Sequence, residues 1–162
     1  MQQPMTNVSL PRTPALPGAL PNAGTPVAGI VTAGQPSAAE LAELAAAGVE
    51  IVIDLRGASE PRGFDEPATA RKLGLEYHSV PVDGGVGPRE FDAVRTLLRT
   101  RGPRPVLVHC KSANRVGAAL IPYLMLDEHQ SRDAALETAR GIGLRSEELA
   151  QAALAYVDAS AT

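Results

Sequence analysis

The stretch that most limits how this chain folds runs from Pro105 to Leu120. Val106-Leu107-Val108 is a short apolar run bounded by Gly102, Pro103 and Pro105, the pattern of a buried strand. Val116 to Leu120 is apolar and alanine-rich, the pattern of a helix. A polar loop joins the two, so the chain passes from a strand through a tight turn into a helix. That passage aims backbone N–H groups and the positive end of the helix dipole at one point. The loop carries the only cysteine of the chain, Cys110, and Arg115 follows with four residues between them. An anion can rest at such a point, and a thiol held there ionises readily. The blander reading of a lone cysteine is a small buried hydrophobe at a strand end. His109 before it and Arg115 after it favour chemistry.

At 162 residues the chain suits one domain with a full core. Its net charge of -3 offers no basic footprint, so no nucleic-acid partner is expected. One cysteine excludes an internal disulfide framework and a cysteine-rich zinc site. It suits a reducing compartment. No stretch approaches the ~20 apolar residues needed to span a bilayer. The first residues lack the basic and apolar regions of a signal peptide. Cytoplasm is the expected location, with no membrane partner.

Residues 1–26 hold six prolines and a single charge, Arg12. Proline at that density works against helices and sheet pairing, so an extended or disordered tail is expected there. A domain over 27–160 follows. Val27 to Thr32 reads as its first strand. Ser37-Ala38-Ala39-Glu40 is a capping box that opens a helix, which Gly48 ends. Val49 to Leu55 is too continuously apolar for a sheet with one wet face. Asp65 and Pro67 open a short helix ended by Gly74, and Leu75 to Val82 reads as another strand. Asp83-Gly84-Gly85-Val86-Gly87 is a flexible loop before a helix that Pro88 opens and Gly102 closes. The helix after the cysteine loop contains Pro122, where a kink or shift is expected. Ser131 and Ser146 cap two further helices. Alternating strands and helices predict an α/β domain with a mainly parallel central sheet of about four to five strands, flanked by helices. In such sheets ligands bind beyond the carboxyl ends of the strands. Asp54-Leu55-Arg56, Val82-Asp83 and His109-Cys110 therefore share one edge.

The roles follow from chemistry. Cys110 is the candidate nucleophile. Arg115 is the candidate anion clamp, because a planar guanidinium matches two phosphoryl oxygens. An arginine at a helix N-terminus opposes the dipole, so the position asks for a local anion. The N–H groups of Lys111, Ser112, Ala113 and Asn114 form the candidate cradle. The Lys111 side chain either attracts anions or is an ordinary surface lysine. His109 holds the loop by hydrogen bonds rather than acting as a base. Asp83 is the candidate general acid for a leaving oxygen, against the plainer reading of a turn aspartate. Asp54, Arg56 and Glu60 form either a supporting charge cluster or a structural ion pair, the second being the plainer reading.

His109 to Arg115 with its flanking strand and helix resembles the signature loop of the cysteine-dependent protein phosphatases. The wider run is similar to the bacterial beta-lactamase-hydrolase-like phosphatase domains, related to the dual-specificity phosphatases. Thr32-Ala33-Gly34-Gln35-Pro36, Ile53-Asp54-Leu55-Arg56 with Glu60, and His109 to Gly117 carry the likeness, which spans about residues 27–158. It implies a phosphocysteine intermediate on Cys110, oxyanion binding by Arg115 and the loop amides, acid catalysis by Asp83, and neither metal nor other cofactor. Phosphatases of this superfamily usually place five residues between cysteine and arginine, often follow the arginine with Ser or Thr, and have a loop glycine near Ala113. This chain has four residues there, Val116 after the arginine, and no such glycine. An alanine at position 113 is strained if the loop needs positive φ.

Three functions are compatible with these residues. The first is a phosphatase acting on a phosphorylated protein, of phosphotyrosine or dual-specificity type, or on a small phosphoester. The second is a rhodanese-like sulfurtransferase that carries a persulfide on Cys110, which the four-residue spacing favours. The third is a non-catalytic module that binds anions or phosphoproteins. Neither the physiological substrate nor the oligomeric state is legible in the sequence.

Overall fold

The computed structural model describes residues 13–83 and 85–160. Its sheet has five strands in the order β1-β2-β5-β3-β4. These are β1 (Gly24–Val27), β2 (Ile30–Ala33), β3 (Ile51–Asp54), β4 (Glu76–Ser79) and β5 (Val106–His109). β5 lies at the centre, parallel to β2 on one side and to β3 on the other. Its register places Asp54 opposite His109 and Ala33 opposite His109 on the two flanks. Three chain segments thus end at one edge beside Cys110. β4 extends the parallel set, while β1 turns back antiparallel onto β2.

Every residue of β2, β3 and β5 is buried, as continuous apolar runs in a doubly covered sheet must be. On one face Ile30, Ile51, Ile53, Val106 and Val108 pack with Leu120 and Leu124 of α4 (Asn114–Leu126) and with Val94 and Leu98 of α3 (Pro88–Thr100). On the other, Val31, Val52 and Leu107 pack with Leu41 and Leu44 of α1 (Ala38–Ala46) and Ala70 of α2 (Glu66–Lys72). α5 (Arg132–Ile142) and α6 (Glu147–Ser160) pack outside α4 through Ala118, Ile121, Ala139, Ala153 and Leu154. Gly117 permits that approach: a Cβ there would lie 2.7 Å from the Ala139 carbonyl oxygen.

The local signals act as their chemistry requires. Ser37 accepts from Glu40 N while Glu40 accepts from Ser37 N, the reciprocal capping box. Asp65 caps α2, Ser131 caps α5, and Ser146 accepts from Leu149 N at the start of α6. α4 continues through the buried Pro122 as one helix.

Three expectations need correction. Residues 27–32 are not a single strand: β1 and β2 form a hairpin around Gly29, whose φ of +78° suits glycine. The stretch 13–26, expected as part of a tail, is packed. Pro14, Pro17 and Leu20 are buried, and the Pro21 carbonyl accepts from Gly34 N at 2.8 Å. Proline density misled because Pro26 sits in β1, an edge strand, where a missing donor is tolerated. Residues 1–12 lie outside the described part. The strand expected over 75–82 is regular only over Glu76–Ser79, the residues registered against Ile51–Asp54, although Val80 N and Val82 N still donate to Asp54 O and Leu55 O.

Candidate active site

Cys110 leaves β5 almost wholly buried, at 1% exposure. Three consecutive carbonyls of the following loop are tied back. His109 Nδ1 lies 3.3 Å from the Cys110 carbonyl oxygen, Gln35 N donates to Lys111 O at 3.1 Å, and Asn22 Nδ2 donates to Ser112 O at 3.2 Å. In a trans peptide the N–H points opposite to the C=O. The N–H groups of Lys111, Ser112 and Ala113 are therefore turned to the other side, and none donates to a protein acceptor among the described residues. This is a nest of donors at the start of α4, suited to an oxyanion.

Two glycines keep this loop in place. A Cβ on Gly34 would lie 2.6 Å from Lys111 O. A Cβ on Gly143 would lie 3.0 Å from the Cβ of Ala113. Ala113 has φ +67°, the left-handed region, so the strain foreseen for alanine is present and costs about 1–2 kcal/mol.

Arg115 sits in the first turn of α4. Its Nη1 and Nη2 donate to Glu60 Oε2 at 2.7 Å and Oε1 at 2.9 Å, and Nη1 also reaches the Val82 carbonyl at 3.3 Å. A guanidinium has five N–H donors, so Nε–H and one Nη2–H remain for the nearby Cys110 sulfur, with which the side chain also interacts, and for a bound anion. These form the side-on fork that matches two oxygens of one phosphoryl group. The hydrogen bonds it donates to Glu60 hold the Arg115 pKa above its usual value, with the nearby Cys110 adding to the shift. Glu60 also accepts from Gly57 N at 2.6 Å and Arg56 Nε at 3.1 Å, and these partners, Arg115 first, hold its carboxyl far below the usual range. The local anion that Arg115 requires is thus Glu60, which does more than close a surface ion pair.

Behind the loop lies a buried polar network. Arg56 Nη1 donates to Gln35 Oε1 at 2.9 Å, and Gln35 Nε2 donates to Glu66 Oε1 at 2.7 Å. A proton joins Glu66 Oε2 to His109 Nε2 across 2.6 Å. Asp54 accepts from Arg62 Nε at 2.7 Å, from Arg56 N at 2.9 Å and from the Tyr77 hydroxyl. Burial pushes the Asp54 carboxyl up, but His109, Arg62 and Tyr77 outweigh it and leave the pKa lowered. Burial and the Asp54 bond raise the Tyr77 phenol, which keeps it a donor. Asp54, Glu66 and His109 each offer one ligand atom, all within 4.8 Å of one another. Arg62, Tyr77, Gln35 and the shared proton already occupy those atoms, so the three fit a hydrogen-bonded brace better than a cation site.

Asp83 is exposed at the same sheet edge, one residue beyond the Val82 carbonyl that accepts from Arg115. It lies so close over Gly57 that a Cβ there would be 1.9 Å from Asp83 Oδ1. Its carboxylate has no hydrogen-bond partner among the described residues. On the far rim Asn114 Oδ1 accepts from Arg145 N at 2.7 Å and Ser146 N at 3.2 Å, so its side chain fixes the α5–α6 turn to the loop. Lys111 is exposed.

The structure thus brings together Cys110, Lys111, Ser112, Ala113, Asn114, Arg115, His109 and Asp83. Sequence reasoning missed Asn22, Arg62, Glu66, Tyr77 and Arg145. Glu66 was hidden as an ordinary acidic first-turn residue of α2, and Asn22 lay in the stretch read as a tail. The quoted Gln35, Arg56 and Glu60 were the available signal.

No protein-family model matches the chain. The beta-lactamase hydrolase-like protein of Xylella fastidiosa, strains Temecula1 and 9a5c, is 36% identical over 126 residues, covering 71% of this chain. The chain spans only 28% of the length of those relatives. Among solved structures, a phosphatase candidate (DUF442) of Shewanella putrefaciens CN-32 has a TM-score of 0.76 at 24% identity, covering 88% of this chain and 94% of that one. P. aeruginosa TpbA in complex with pTyr has a TM-score of 0.65 at 24% identity, covering 92% of this chain and 90% of that one. The chain has the cysteine phosphatase fold, and the resemblance read from its motifs stands.

Proposed function

We propose that the protein is a cysteine-dependent phosphatase that hydrolyses phosphate monoesters. The observation that carries this reading is the loop whose three N–H groups are freed by tied carbonyls, beside the Arg115 donors that Glu60 leaves over. Together they offer up to five donors to a tetrahedral anion over the Cys110 sulfur. The thiolate attacks phosphorus, the S–P bond forms and the P–O bond to the leaving group breaks. Asp83 gives its proton to the leaving oxygen. Water then attacks phosphorus, returns a proton to Asp83 and releases the thiolate with inorganic phosphate. His109, fixed by Glu66, orients the first loop carbonyl. The substrate is a phosphorylated protein of tyrosine or dual-specificity type or a small phosphoester. TpbA, which shares the fold, binds pTyr, in line with the first. The cytoplasm is the proposed location. Among the described residues no helix is long and apolar enough to cross a membrane.

The test is hydrolysis of an aryl phosphate by the wild type and by Cys110→Ser. Turnover in the wild type and its loss by at least ~10³-fold in the variant are expected. Equal rates would end the reading.

A second reading, sulfur transfer, is favoured by one specific feature. Only four residues separate Cys110 from Arg115, and Val116 after it is buried without a hydroxyl. Here the thiolate attacks the sulfane sulfur of thiosulfate, the new S–S bond forms on Cys110, and sulfite leaves. A mass increase of about 32 Da on Cys110 after thiosulfate treatment supports it. Phosphate binding lost in Arg115→Ala, with neither turnover nor that adduct, identifies a binding module.

A further inference from the structure

We propose that Arg145 forms a second anion subsite at the rim of the cysteine loop, and that the substrate is a small molecule with a second phosphoryl group next to the one that reaches Cys110. This rests on the reading of the loop as a phosphoryl site and names its substrate class.

The cations inside the site are already matched. Arg115 and Arg56 are bound to Glu60, and Arg62 to Asp54. Arg145 differs. It is exposed, and its guanidinium makes one hydrogen bond, from Nη2 to Ser112 Oγ at 3.1 Å. No carboxylate pairs with it among the described residues. Of five N–H donors, four are unused. The neighbouring acid Glu147 is engaged by Gln151 at 2.9 Å.

Arg145 is also held in place. Its backbone N–H and that of Ser146 both end on Asn114 Oδ1, inside the loop that carries Cys110. The guanidinium contacts Ser112, whose Cα lies at most about 7.6 Å from that of Cys110, two trans peptides away. An uncompensated cation tethered to Ser112 at the rim meets a diphosphate or a vicinal bisphosphate, whose second group lies outside the loop. A lone monoester places nothing charged there. Such preorganisation costs little ordering on binding, and planar guanidinium is the side chain suited to phosphoryl oxygens.

The experiment titrates the full chain with inorganic phosphate and with pyrophosphate by calorimetry at fixed ionic strength. It compares wild type, Arg145→Ala and Arg115→Ala, with circular dichroism as the folding control. Arg145→Ala keeps the backbone anchor to Asn114. The wild type is expected to bind pyrophosphate at least about tenfold tighter than phosphate, one charge-assisted contact's worth. Arg145→Ala is expected to cut that preference to about twofold or less. An unchanged preference overturns the proposal, as does a parallel loss of both anions, which identifies Arg145 as a loop brace only. An Arg145-dependent gain seen with an acidic phosphotyrosine peptide and not with pyrophosphate overturns it too. Failure of Arg115→Ala to weaken phosphate binding sinks the phosphoryl-site reading instead, a result separate from the pyrophosphate preference.

Discussion

The inner and outer sides of the cysteine loop are built on opposite terms. The inner side is saturated. Asp54, Glu66, His109, Arg56, Arg62, Gln35 and Tyr77 hold one another, and the first two and His109 are fully buried. The outer side is left open: Asp83, Lys111 and Arg145 are exposed, and no carboxylate faces either cation among the described residues. Buried charges must be matched because leaving one unpaired is costly, whereas a group that is to meet an incoming anion must keep some donors unused, as Arg115 does beside Glu60. The saturated side fixes where Cys110 and Arg115 stand, and the open side receives what arrives. Glu60 joins the two, tying Arg56 inside to Arg115 at the boundary.

That contrast can be broken at graded cost. Glu66→Ala removes the partner of both Gln35 and His109 from a fully buried place, and a loss of about 3–5 kcal/mol in urea unfolding is expected. A change below about 1 kcal/mol would show that the inner side is not the brace described. Gly57→Ala acts on the open side, since the added Cβ displaces the Asp83 carboxylate. A loss of up to about 10²-fold in aryl phosphate turnover is expected from that misplacement, with the melting temperature far less affected. Turnover equal to wild type would remove Asp83 from the mechanism.

Acid probes the boundary. The folded Glu60 carboxyl titrates below its unfolded value. Its contribution to stability is therefore full above the ordinary carboxylate range and is lost as pH falls through that range and below. Glu60→Gln is expected to flatten the fall in unfolding midpoint between about pH 5 and pH 3, and an unaltered slope would contradict the role given to Glu60. The smallest effect is at the loop itself. Ala113→Gly removes left-handed strain but adds freedom to the unfolded chain, and a net gain of about 0.5–1 kcal/mol is expected in the same unfolding assay. A loss would mean that the buried Ala113 methyl outweighs the strain.

Much of the fold was legible because its signals are local. Ser37 with Glu40, Asp65 with Pro67, and Ser131 each act within one turn of the backbone they cap. The continuous runs of β3 and β5 announce strands covered on both faces. The hairpin of β1 and β2 was not legible, since pairing across Gly29 in a proline-bearing edge depends on what lies beside it. For the candidate site, the placing of Cys110, Arg115 and Asp83 at one sheet edge was legible from strand order and residue type. Glu66 escaped because nothing near it in sequence says that its carboxylate crosses to His109, 43 positions away.

The sequence by itself determined the α/β class, the strand-loop-helix unit around Cys110, and the gathering of three strand ends at one edge, because periodicity, capping and right-handed crossovers act over short stretches. Only the tertiary structure decided which acid faces Arg115, which groups tie the loop carbonyls back, and which cations stay unmatched. Those outcomes depend on distances between residues far apart in the chain, where electrostatics and close packing select one partner among many of the same type.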